Sequence, residues 1–213
     1  MRFVAPSREF LAETLLAAGP DAPTLCEGWK TRHLLAHLHL RENSPRVALG
    51  LAVKALAPAT DQAIEELAST LDDGAYVKLV EQFRTGPSRF SPWGIPAVAE
   101  LANLAEYFVH AEDVRRAGDR WAPRALDDAY AEALWADLVK RAALLYRGVD
   151  LGIVLVRPNG PRHVARRAPD SVAILGDPAE LMMHAYGRAS HALVSFEGQP
   201  DAVALLRSAT LGA

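Results

Sequence analysis

The chain has 213 residues, a formal net charge of −3 and a composition that is 50% hydrophobic, so it can build a sizeable core and is not globally disordered. The near-balanced charge excludes a protein held to nucleic acid mainly through phosphates, because its basic clusters (Arg115–Arg116, Arg162, Arg166–Arg167) are short and close to acidic residues. The single cysteine, Cys26, excludes an intramolecular disulfide and any multi-cysteine zinc site.

In chain order, residues 7–18 carry Phe10, Leu11, Leu15 and Ala18 at helical spacing and close on Gly19-Pro20. A turn-rich stretch runs from Asp21 to Trp29, after which Thr31 stands where it could cap the periodic run HLLAHLHLRE. Helical patterns resume over 44–56, 61–71 and 74–85. The segment Thr85–Pro96 holds Gly86, Pro87, Pro92, Gly94 and Pro96 and is a loop. Pro96 suits the first position of a long helix to about Ala117, ended by Gly118, and another helix runs from about Arg124 to Tyr146.

The character changes after Arg147-Gly148. DLGIVLVRP (150–158) and SVAILGDP (171–178) predict strands, PAELMMHAYGR (178–188) a helix, HALVSFEG (191–198) a strand and DAVALLRS (201–208) a helix. The expected fold class is therefore α+β, with a helical domain over 1–147 and a small α/β domain over 148–213.

The chemistry concentrates in NLAEYFVHAEDVRRAG, residues 103–118. Glu106 and His110 are four apart, one turn apart on one helical face, and Asp113 returns to within about 20° of Glu106. Such a face can grip a divalent ion if a further ligand comes from elsewhere. The histidine-rich helix offers His33, His37 and His39. His37 lies near the apolar stripe and should point inward, His33 sits on its edge, and His39 falls about 160° away from His37. Two imidazoles and one carboxylate suit Zn, Fe, Ni or Mn, with positions left for water or substrate. The same E-x-x-x-H spacing also occurs in solvated pairs, and histidines beside leucines are commonly hydrogen-bonded core residues.

LCEGWKTRHLLAHL (25–38) followed by EYFVHAEDVRRA (106–117) resembles the metal-binding domain of mycothiol-dependent maleylpyruvate isomerases. Trp29, Thr31, His37, Glu106, His110 and Asp113 match that family's pattern, whereas His33 replaces its usual Asp and Lys30 precedes Thr31. The tail GDPAELMMHAYGRASHALVSFEG resembles the family's small C-terminal domain. The resemblance implies a DinB-like up-down four-helix bundle followed by a sterol-carrier-like α/β domain. It also implies a divalent metal (Zn first, with Ni, Fe or Mn as alternatives) held by His37, Glu106 and His110. Mycothiol would be the co-substrate of an isomerase or transferase acting on a small electrophilic substrate. The second motif, with its Arg-Arg pair, resembles a metal-binding branch of this family more than the isomerase itself.

Within that reading Arg188, in the Tyr186-Gly187-Arg188 turn, is the candidate for pairing with substrate carboxylates, its alternative being a helix-end cation. Asp113 is expected either to pair with Arg116 or Arg32, or to support a metal ligand. Cys26 is expected as packing, and His163, His184 and His191 as surface or hydrogen-bonding residues. The competing functions are a non-catalytic metal-binding or ligand-sensing module and a helical protein whose histidines fill its core. Pro6, Arg8, Glu9 and Glu13 interrupt the apolar N-terminal stretch, so no signal peptide is expected. No run approaches the roughly 18 apolar residues of a membrane span. The expectation is a cytoplasmic monomer or homodimer with no membrane or nucleic-acid partner.

Overall fold

The computed structural model describes residues 3–87, 96–158 and 160–212. Most of the loop expected over Thr85–Pro96 lies outside those residues. Two compact units divide the chain, Met1–Pro123 and Arg124–Ala213. The change of character at residue 148 thus marks where the strands begin, whereas the units divide ahead of the preceding helix. Among the described residues no helix is long and apolar enough to cross a membrane.

The first unit is helical: α1 (Val4–Ala18), α2 (Thr31–Asn43), α3 (Pro45–Ala52), α4 (Ala57–Ser69), α5 (Asp73–Thr85) and α6 (Pro96–Arg115). Helix α1 begins earlier than expected because Pro6 falls in its first turn, where its missing N–H is not needed. It ends at Gly19, whose φ of 74° is favoured by glycine, and whose N–H donates to the Leu15 carbonyl. Thr31 is not the cap of α2. It occupies the first helical position, and its hydroxyl donates to the Gly19 carbonyl, joining the start of α2 to the end of α1. The capping position belongs to Lys30, whose backbone N–H donates to His33 Nδ1 at 3.1 Å.

Leu11 and Leu15 of α1, Leu34, Leu35 and Leu38 of α2, Tyr76 and Phe83 of α5, and Tyr107 and Phe108 of α6 are almost wholly buried. Each buried leucine contributes about 1.5–3 kcal/mol of hydrophobic stabilisation. A polar knot crosses this core. Arg8 donates to both carboxylate oxygens of Glu42, at 2.8 and 2.9 Å, and to the Phe83 carbonyl at 2.8 Å. Tyr107 hydrogen-bonds with both Arg8 and Glu42. The knot ties α1, α2, α5 and α6 together.

The second unit contains α7 (Asp128–Leu145), β1 (Gly152–Val156), β2 (Arg162–Arg166), β3 (Ser171–Leu175), α8 (Pro178–Ala185), β4 (Ser195–Glu197) and α9 (Pro200–Ser208). Helix α7 starts at Asp128 rather than Arg124 because Asp127 caps it, accepting from Tyr130 N at 2.8 Å. The strands form one sheet in the order β2-β1-β3-β4, with β1 and β3 parallel and the outer pairs antiparallel. Strand β2 was not expected, since its charged sequence RHVAR has the composition of a surface loop; as an edge strand it needs little apolar surface.

Candidate metal centre

Helix α2 presents His37 from between Leu34 and Leu38, both fully buried, so the ring is carried inward with the apolar stripe. Helix α6 presents Glu106 and His110 one turn apart. His37 Nε2 lies 3.0 Å from Glu106 Oε1, and His110 Nε2 lies 3.3 Å from the same oxygen. The two imidazole rings meet edge to face, with centroids 5.3 Å apart. Side-chain exposures of 9, 20 and 12% for His37, Glu106 and His110 leave the cluster largely buried yet reachable.

These spacings fit a shared cation. Ligand atoms about 2.0–2.2 Å from one ion, at tetrahedral or octahedral angles, stand about 2.8–3.6 Å apart. All three ligand atoms lie within 4.8 Å of one another. The donor set of two imidazoles and one carboxylate is that of open divalent sites.

The electrostatics are asymmetric. Burial lowers the proton affinity of His37 despite the neighbouring Glu106, which favours the neutral ring. Burial alone would raise Glu106, but Arg41 and the two histidines hold its carboxyl well below the usual range. Burial would also lower His110, yet its hydrogen bonds with Asp113, Cys26 and Glu106 raise it well above the ordinary imidazole value. A metal at this site must therefore displace a proton chiefly from His110.

The support around the two histidines also differs. His110 Nδ1 lies 2.9 Å from Asp113 Oδ2, and Asp113 is fully buried. A proton on Nδ1 directed at that carboxylate leaves the Nε2 lone pair facing Glu106. By contrast, His37 Nδ1 is buried without a hydrogen-bond partner among the described residues. The Trp29 ring stands beside His37, with centroids 5.3 Å apart.

Cys26 is not simply packing. Its thiol is half-buried and donates to Asp113 Oδ2 at 3.2 Å. The Leu25 N–H donates to the Asp113 carbonyl at 3.0 Å, so the loop before α2 is tied to α6 twice. Cys26, His110 and Asp113 also form a group that could hold a metal, gathered on the Nδ1 side of His110. Cys26 and Arg41 escape sequence reading because their partners lie on other elements.

The remaining candidates lie elsewhere. His33 Nε2 pairs with Glu65 at 3.2 Å and its Nδ1 serves the start of α2. Arg32 pairs with Asp21 at 2.8 Å, and Arg116 donates to Glu112 at 2.7 Å. Arg188 belongs to the second unit, following α8, and donates to the Tyr186 carbonyl. His184 is buried in that unit, 2.9 Å from the Tyr146 hydroxyl.

Neither a family model nor a curated protein matches the sequence. Among solved structures, the chain is similar to the mycothiol-dependent maleylpyruvate isomerase and to its H52A mutant. Each match has a TM-score of 0.61 and 19% identity, and covers 91% of this chain and 90% of the other. The chain therefore has a maleylpyruvate isomerase-like fold.

Proposed function

We propose that the first unit, as a DinB-like up-down bundle, binds a divalent metal through His37, Glu106 and His110. The protein then acts as a small-thiol-dependent isomerase or transferase on a small electrophile, with mycothiol as the thiol. The observation that carries this reading is the convergence of two imidazole nitrogens on Glu106 Oε1, at 3.0 and 3.3 Å, in a cluster that keeps some access to solvent. A divalent ion bound there would hold a thiol as thiolate near neutral pH.

The residues divide the remaining work. Asp113 keeps the His110 proton on Nδ1, so that Nε2 serves the ion. Trp29 and the buried leucines of α2 limit how far His37 can turn. Arg188, in the proposed sterol-carrier-like second unit, would offer its planar fork to a substrate carboxylate. The similarity of fold to a mycothiol-dependent isomerase supports the choice of thiol.

Metal analysis of the purified wild type beside Glu106→Ala and His110→Ala tests the site, with most bound metal lost in both variants. Unchanged metal content in the variants would move the site elsewhere. An assay for mycothiol consumption or isomerisation with conjugated electrophiles tests the reaction. Metal binding with no thiol-dependent turnover would favour the non-catalytic reading.

A further inference from the structure

Glu106 Oε1 has a third neighbour besides the two histidines: Arg41 Nε, at 3.4 Å. Arg41 lies one turn beyond His37 on α2, and its side chain is only 11% exposed. Its other nitrogens are fixed as well. One terminal nitrogen donates to Asn103 Oδ1 at 2.6 Å and the other to the Ala102 carbonyl at 3.0 Å. The guanidinium is thus held by three partners, of which the Glu106 carboxylate is one.

Asn103 shows how strongly that position is enforced. Its amide orientation is set by Arg41, because only the oxygen can accept from a guanidinium. That choice leaves Asn103 Nδ2 buried without a hydrogen-bond partner among the described residues, an arrangement with a free-energy cost. Leucine or alanine would remove the orphaned donor but also the acceptor that orients Arg41.

We infer that Arg41 is a tuning residue of the metal centre, sharing Glu106 Oε1 with the bound cation so as to weaken the site's hold on the ion and leave it more electron-poor. This rests on the proposed metal site. A carboxylate oxygen has lone pairs for both partners, but a cation paired with it at 3.4 Å draws charge away from that oxygen. The guanidinium also repels a divalent ion through a poorly screened, buried path. Arg41 therefore opposes tight binding and favours an ion that polarises whatever occupies its open positions.

The test is the affinity of metal-free protein for Zn2+ and Co2+, measured by competition with a chromophoric chelator at fixed pH. Far-UV circular dichroism and the melting temperature of the metal-free protein monitor folding. Arg41→Met is expected to bind both ions about tenfold or more tightly, since a unit charge beside the ion is removed. Arg41→Lys, which keeps the charge, should stay within about threefold of wild type. Asn103→Leu, which only loosens the aim of Arg41, should tighten binding by a smaller factor, and it decides the matter if Arg41→Met does not fold. Wild-type protein that takes up neither ion overturns the metal reading itself. Wild type that binds, with Arg41→Met or Asn103→Leu binding no more tightly, overturns this inference alone, as does an Arg41→Lys variant that tightens as much as Arg41→Met.

Discussion

His110 and Asp113 are joined by a 2.9 Å contact within one turn of α6, and the carboxylate that receives the imidazole is fully buried. The same carboxylate oxygen accepts the Cys26 thiol at 3.2 Å. An anion so placed fixes both the tautomer and the plane of the ring. It is the device by which metal-ligating histidines are commonly held.

Replacing Asp113 with Ala should therefore reduce metal affinity by about 10–100-fold without removing a ligand. Asp113→Asn, which keeps an acceptor but no charge, should lose less. Chelator competition measures both. Wild-type affinity in the two variants would show that the carboxylate does not act on the site.

Metal uptake should also depend on pH with a defined sign. His110 is the ring whose proton affinity is raised, while burial keeps His37 towards its neutral form. The ion needs the Nε2 lone pair, so apparent affinity should rise with pH and go on rising above 6.5, the ordinary value for histidine. Calorimetry at pH 7 in buffers of different ionisation enthalpy should show proton release on binding. A heat independent of the buffer would mean that His110 is already neutral.

Part of this arrangement was legible in the sequence because it is local. Glu106, His110 and Asp113 share a face by helical spacing, and Gly19-Pro20 and Pro96 mark real helix ends. What escaped is tertiary. Thr31 reads as a cap by residue type, but the Gly19 carbonyl competes for its hydroxyl. Strand β2 is hidden because an edge strand tolerates arginines. Arg41, Asn103 and Cys26 matter through partners 62 and 87 residues away, and no periodicity encodes those contacts.

The Arg8–Glu42 pair should behave as a buried ion pair, with side chains only 9 and 1% exposed. Glu42→Gln leaves the guanidinium without its counter-charge, and removal of one partner from such a pair costs about 3–5 kcal/mol. Replacing both members with apolar residues of similar volume, as in Arg8→Met with Glu42→Leu, should recover much of that loss. Denaturant unfolding of the single and double variants measures the coupling. A single variant within about 0.5 kcal/mol of wild type, the usual range for surface changes, would contradict the pair's role.

In the second unit, His184 is 2% exposed, stands 2.9 Å from the Tyr146 hydroxyl, and lies with its ring centroid 5.5 Å from that of Phe196. Burial drives its pKa down to about 4 from a reference of 6.5. The unfolded chain therefore takes up a proton at this residue before the folded chain does. Stability associated with the neutral ring is complete above pH 6.5, falls as the pH drops below it, and levels off below about pH 4. A shift of that size corresponds to roughly 3 kcal/mol between the two limits. Urea unfolding of the second unit at pH 7.5 and 4.5 should show much of this loss in wild type and less in His184→Gln, which cannot titrate. The variant should be weaker than wild type at pH 7.5, through imperfect replacement of the ring, and the gap should narrow at pH 4.5. An equal loss of stability in both proteins would show that His184 does not govern this part of the acid response.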